Sequence, residues 1–393
     1  MEFDYFENVE EPRERWKRFE KFLETLSPEL KLENLFGMNR FRWNGQELTA
    51  PTNGIKFLSM LLSTSLVVVF VISRIYIITI FGKPYEFNVF REFPVYLIFG
   101  QYWVGCILSA TLHTKGNIKI MKTMHHLDTA LKLNITEDYY DKERKENVIL
   151  VSFLIVFHAV FQLCDVASDG VLTLSGTLHV VVYFYQDLEL IMFYKLLTML
   201  KTRLNALNDR LGKVDLKYGN SAKTVDSDED NAAMELYDLA ALYYDLGEIC
   251  SSINSVFNFH VLMILTSSFA HIIVIQWVVL HSRGSNDDFT MNSVKMTIWC
   301  IRCVCAILTM CITCEKLLSL RKNTTTSVNE MIMDYDRPPQ VRRLAKAFME
   351  LLEACDLKIS VYDMFYVDSG LVFKFLSVST TYLIVLIQIY HFV

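Results

Sequence analysis

The sequence has no HExxH, GxSxG, GxGxxG or Walker segment, so metallopeptidase, serine hydrolase, dinucleotide and nucleotide chemistry lack their usual anchors. Clustered catalytic ligands and repeat symmetry are also missing, which leaves a membrane enzyme or a repeat-built transporter without support. Nothing supports nucleic-acid binding, and neither an enzymatic activity nor a cofactor is expected. A secretory signal is not expected either. The first 54 residues are too charged for one, and the first apolar run is too long for an h-region, so that run should remain as an anchor.

What the chain has instead is apolar length. Its 393 residues are 52% hydrophobic and 13% aromatic, with a mean hydropathy of +0.27, too apolar for two or three soluble domains. A membrane-spanning helix needs about 20 mostly apolar residues, because lipid cannot satisfy exposed backbone groups. Seven candidates occur, at 57–81, 93–112, 148–168, 171–194, 256–281, 295–315 and 371–393. Ser168-Asp169-Gly170 forms a plausible tight turn between the third and fourth.

Cytoplasmic loops retain Lys and Arg. Thirty of the 38 lie in residues 1–54, 113–147, 195–255 and 316–370, and only Lys83, Arg91 and Arg283 lie in the other loops. The N-terminus is therefore predicted inside and the C-terminus outside. That orientation is opposite to a G-protein-coupled receptor, and there is no Asp-Arg-Tyr after the third span and no Asn-Pro-x-x-Tyr in the seventh. None of the nine cysteines falls in a predicted outer loop, so an outer disulfide framework is not expected. The sequons at Asn134 and Asn323 fall inside and should carry no sugar.

The predicted fold is an all-α membrane protein with long cytoplasmic helical extensions. It divides into a cytoplasmic segment (1–54), six spans forming a ligand-binding bundle (55–315, with cytoplasmic helices at 195–255), a cytoplasmic helical region (316–370) and a last span (371–393). Leu196, Leu200, Leu204, Leu207 and Leu211 recur at helical spacing beyond the fourth span. Leu239, Leu242, Leu246 and Ile249 do so before the fifth, and Leu344, Phe348, Leu351, Cys355 and Ile359 before the seventh. Three amphipathic helices on one side imply a packed helical layer, itself a candidate for contact between copies. The run Asp226-Ser227-Asp228-Glu229-Asp230 reads as a mobile acidic loop.

Two cysteine pairs at CxxC spacing, Cys300/Cys303 and Cys311/Cys314, would suggest zinc in a soluble chain. Here they lie in an apolar helix without the loops that let four thiolates converge, and no metal site is expected. His125-His126 with Asp128 stands alone in a cytoplasmic loop and reads as a surface histidine pair.

Ionisable and polar groups inside spans are more informative, since each charge costs about 2.5–3.5 kcal/mol at a helix centre. Tyr96, Gln101, Gln162, Asp165, His179, His271, Gln276, Trp277 and Trp299 fall at similar depth towards the outer side. Together they are candidates for a pocket binding a small organic ligand. The alternative is that the aromatics form an interfacial belt while the polar groups join helices.

On the last helix, Val378, Thr381, Val385, Gln388, Ile389 and Phe392 share one face at 100° per residue. In a monomer this would be a lipid or core stripe. Around an axis of several copies it would line a conduit. Thr381-Tyr382, five apolar residues and Gln388 resemble the terminal signature of insect gustatory receptors, relatives of the odorant receptor channels. The spans, orientation and long cytoplasmic helices are similar to that family over essentially the whole chain.

The resemblance implies a ligand-gated, non-selective cation channel in the plasma membrane, expected in sensory neuron dendrites. It further implies a homotetramer, or a heteromer with related receptors, whose last helices surround a pore. Val385 and Ile389 would constrict that pore, with Gln388 beside them and Thr381 and Tyr382 further in. Ile389 departs from the family, which usually has phenylalanine there. The implied partners are a small-molecule tastant, membrane lipid and permeating cations. The aromatic candidates favour a bitter or plant-derived compound, with a sugar as the other option. The alternative function is a G-protein-coupled-type receptor of reversed topology.

Overall fold

The computed structural model describes residues 12–81, 85–133, 137–169, 174–219, 226–281 and 289–392. Helices α1 (Pro12–Thr25) and α2 (Ser27–Leu35) come first, followed by a small hairpin of β1 (Arg42–Trp43) and β2 (Leu48–Thr49). Then come α3 (Asn53–Phe81), α4 (Tyr85–Thr111), α5 (Thr114–Ala130), α6 (Glu137–Asp169), α7 (Leu174–Gly219), α8 (Asp226–His281) and α9 (Phe289–Met333). The chain closes with α10 (Pro339–Ala354), a second hairpin of β3 (Ser360–Val361) and β4 (Phe365–Tyr366), and α11 (Ser369–Phe392). Both hairpins are antiparallel, pairing Trp43 with Leu48 and Val361 with Phe365.

Among the described residues, α3, α4, α6, α8 and α9 each contain a stretch long and apolar enough to cross a membrane, and α11 is apolar over a shorter stretch. Helix α7, which holds the fourth predicted span, is not in that group. It can be more polar because other helices cover it: it packs against α9, α8, α6, α4, α3 and α2, and residues 182–189 are all buried. The opposite case is α3, which leaves Phe57, Leu58, Leu61, Ile72 and Ile75 exposed. Such a face has no place in water and suits lipid.

Helix length explains the layer of projecting helices. At 1.5 Å per residue, α7 (46 residues) and α8 (56 residues) run about 70 and 85 Å, more than twice the ~30 Å hydrocarbon core of a bilayer. Their projecting parts pack together, and Leu196, Leu200, Leu204, Leu207 and Leu211 are all fully buried. Asn208 joins this part of α7 to α9 by donating to the Leu320 carbonyl and accepting from Thr324. The Tyr243 hydroxyl of α8 donates to the Cys355 carbonyl just past α10.

Three local expectations need correction. The acidic run Asp226–Asp230 is the first turn of α8 rather than a loop, a place where negative charge complements the helix N-terminus. His125 and His126 sit on α5, not in a loop. His125 meets the rings of Phe19 and Phe22, and His126 bonds Asp245, which raises its pKa. The helix before the last span stops at Ala354, so Cys355 and Ile359 do not extend its stripe. Leu357 takes a positive φ of 44° there, which turns the chain into the β3–β4 hairpin. Asn254 holds that hairpin from α8, bonding both the Ser360 hydroxyl and its backbone N–H.

Candidate functional site

Helices α6, α7, α8 and α9 bring a set of rings together around Tyr183. The Trp299 ring lies 4.3 Å from it and the His179 ring 4.6 Å. Phe161 packs 4.6 Å from Trp299. His271 shares a hydrogen bond with the Tyr183 hydroxyl and sits 6.3 Å from Trp299. The helical period produces this convergence: His179 and Tyr183 are one turn apart on α7, and His271 and Ile275 are one turn apart on α8.

Arg302 of α9 lies against this cluster, 4.9 Å from the centroids of both Tyr183 and Trp299. Its guanidinium donates to both Asp187 oxygens, at 2.6 and 2.9 Å, and to Gln186 Oε1 at 3.1 Å. Asp187 also bonds His158 Nε2 on α6 at 2.9 Å. Gln186 Nε2 then donates to Gln101 on α4 and Ser267 on α8. Five helices meet in one polar network next to the rings. A buried cation surviving there depends on such complete pairing.

Of the predicted pocket residues, the structure gathers His179, His271 and Trp299. Gln101 is fully buried in the network below and bonds Gln186, with its Nε2 unpaired. Tyr96 lies apart, edge-on to Phe70 of α3. Gln162 and Gln276 are half-buried, and each has an unpaired Oε1. Trp277 is half-buried on α8, and the Asp165 side chain lies outside the described residues. Sequence reasoning missed Tyr183, Asp187 and Arg302, although two charges inside apolar helices were the available signal.

On α11, Thr381, Tyr382, Val385 and Gln388 are exposed in the single chain, while the Ile389 side chain lies outside the described residues. The Thr381 hydroxyl donates to its own helix at Ser377. Phe269 of α8 receives Phe375 and Tyr382 edge-on. Among the described residues no group of three or more His, Cys, Asp or Glu side chains is arranged to hold a metal ion.

A second buried charge cluster ties the N-terminal segment to the bundle. Arg40 bonds Glu33 of α2 at 2.6 and 3.0 Å and Glu189 of α7 at 2.8 and 2.9 Å. Burial raises the Glu33 carboxyl above its usual range even with Arg40 beside it.

Residues 30–390 match the family of 7tm chemosensory receptors. In fold, the chain is similar to the insect olfactory receptor OR5 from Machilis hrabei, with a TM-score of 0.65 at 12% identity, over 95% of this chain and 99% of that one. The structure of the same receptor in complex with eugenol gives a TM-score of 0.58 at 13% identity, over 96% and 98%. No curated protein sequence matches the chain.

Proposed function

Because this chain belongs to the 7tm chemosensory receptor family, we propose that it is a gustatory receptor acting as a ligand-gated, non-selective cation channel. Four copies assemble in the plasma membrane with seven spans each, N-termini inside, and their α11 helices surround the pore. A small-molecule tastant, a bitter or plant-derived compound in preference to a sugar, binds at the cluster of His179, Tyr183, His271 and Trp299. Binding draws the last helices apart and admits cations. The likeness in fold to a receptor whose structure includes bound eugenol supports a small organic ligand.

The observation that carries this reading is α11. One side packs on α8 through Phe375 and Tyr382, while Thr381, Val385 and Gln388 remain uncovered in the single chain. Apolar groups interrupted by uncharged polar ones suit a pore that gates by dewetting and still passes ions. The test is expression alone in a heterologous cell, with current recorded against a panel of bitter compounds and sugars while G-protein signalling is blocked. A ligand-evoked current is expected, with gating or permeation changed by Gln388→Ala and by Ile389→Trp. A current that neither substitution alters would remove α11 from the pore.

A further inference from the structure

The cluster around Tyr183 specifies more than a location. Phe161, Tyr183, His271 and Trp299 pack ring against ring, an aromatic environment that suits a flat apolar body. One positive charge already lies on those rings, since Arg302 stands over both Tyr183 and Trp299. His179 is within electrostatic reach of Arg302 and of Arg74. Among the described residues the carboxylate beside the rings is Asp187, and both its oxygens are taken, by Arg302 and by His158. A second cation arriving here finds those two rings already engaged by Arg302 and, among the described residues, no free carboxylate to balance it.

The polar atoms still open are of another kind. His179 Nε2, Gln162 Oε1 and Gln276 Oε1 are buried atoms without hydrogen-bond partners. His179 is the one of these whose ring lies against Tyr183, while Gln162 and Gln276 border the cluster as chain neighbours of Phe161 and Ile275, which pack in it with Tyr183 and Trp299. Two amide carbonyls can accept hydrogen bonds, and so can the imidazole Nε2 in the tautomer that carries its proton on Nδ1. Leaving buried acceptors unpaired is costly, so a ligand that donates to them gains over one that cannot.

We infer that this site takes an uncharged, flat aromatic compound carrying a hydrogen-bond donor such as a phenolic hydroxyl, and turns away protonated amines. The inference rests on reading the cluster as the ligand site.

The test uses the full chain in lipid nanodiscs and three probes of one ring system: a naphthol, its methyl ether, and the trimethylnaphthylammonium ion. Calorimetric titration should give the naphthol about ten-fold tighter binding than the ether, and the ammonium ion at least about ten-fold weaker binding than the ether. His179→Phe and Gln276→Leu should each shrink the naphthol advantage without changing the ether. Equal binding of naphthol and ether, tighter binding of the ammonium ion, or no binding of any probe overturns the inference. So does ammonium binding that Asp165→Asn abolishes. Parallel current recordings separate the two readings: the expected order of binding without current defeats the channel and leaves this inference standing, whereas current from other ligands without that order does the reverse.

Discussion

Glu29 gives a quantitative test of how the N-terminal helices are packed. Its side chain is completely buried in α2, and neither carboxylate oxygen finds a hydrogen-bond partner on another residue. Burial above all pushes its carboxyl from 4.5 up to about 7, with smaller pulls from its own backbone N–H and Lys195 and a smaller push from Glu33. The folded protein thus holds this proton more tightly than the unfolded chain does. Below pH 4.5 both states are protonated and the effect vanishes. As pH rises towards 7 the unfolded chain ionises first, so stability falls, and above about 7 the loss is complete.

At about 1.4 kcal/mol per pH unit across that window, the loss is roughly 3 kcal/mol. Glu29→Gln keeps the shape of the protonated acid and never ionises. With about 2.1 cal/mol/K per residue of unfolding entropy, 3 kcal/mol corresponds to about 4 °C in a chain of 393 residues. Thermal unfolding of purified protein, followed by tryptophan fluorescence from pH 5 to pH 8, measures it. Wild type and variant should nearly coincide at the acid end and separate to about 4 °C at the alkaline end, with the variant higher. A gap independent of pH, or a variant less stable at the alkaline end, would mean that the folded protein holds Glu29 ionised and paired, and the reasoning fails.

Gly105 sits where α4 comes close to α7 and α8. An added Cβ would stand 2.7 Å from both the Tyr185 hydroxyl and His260 Cε1, so Gly105→Ala should cost about 1–3 kcal/mol of stability. Gly100→Ala, with nothing within 4 Å, is the neutral control in the same thermal assay. Arg203 is fully buried against Asp128 at 2.7 Å, and Arg203→Met should cost about 3–5 kcal/mol by stranding the carboxylate. Adding Asp128→Leu should recover at least half of that loss, read as the folded yield and thermal midpoint of the double variant.

The sequence makes some of this structure legible and hides the rest for physical reasons. The buried leucines from Leu196 to Leu211 follow from spacing alone, since a stripe at helical period has to be covered. The turn after Ala354 does not, because the apolar spacing runs on through Cys355 and Ile359 while the backbone leaves the helix at Cys355 and turns away through a positive φ at Leu357. His179, His271 and Trp299 were visible as polar or aromatic groups in apolar helices. What hid Tyr183 and Arg302 is that a span shows depth but not which helices stand next to each other. Tyr96 and Trp299 have similar sequence credentials, yet one faces Phe70 at the α3 edge and the other meets Tyr183.

The polarity of α7 has a structural use that its leucines cannot supply. Leucines recurring every three or four residues would stay stacked if α7 slid by one turn, so apolar packing alone fixes its position weakly. A slip of one turn, about 5.4 Å, would instead part every charge from its partner. Asp187 faces Arg302 of α9, Glu189 faces Arg40, Lys195 lies near Glu143 and Glu146 of α6, and Arg203 faces Asp128 of α5. Stranding a single buried charge costs about 3–5 kcal/mol, so even two such losses exceed anything the repeated leucines could restore. The ion pairs therefore set the register of the central helix, and with it the height at which His179 and Tyr183 meet Trp299.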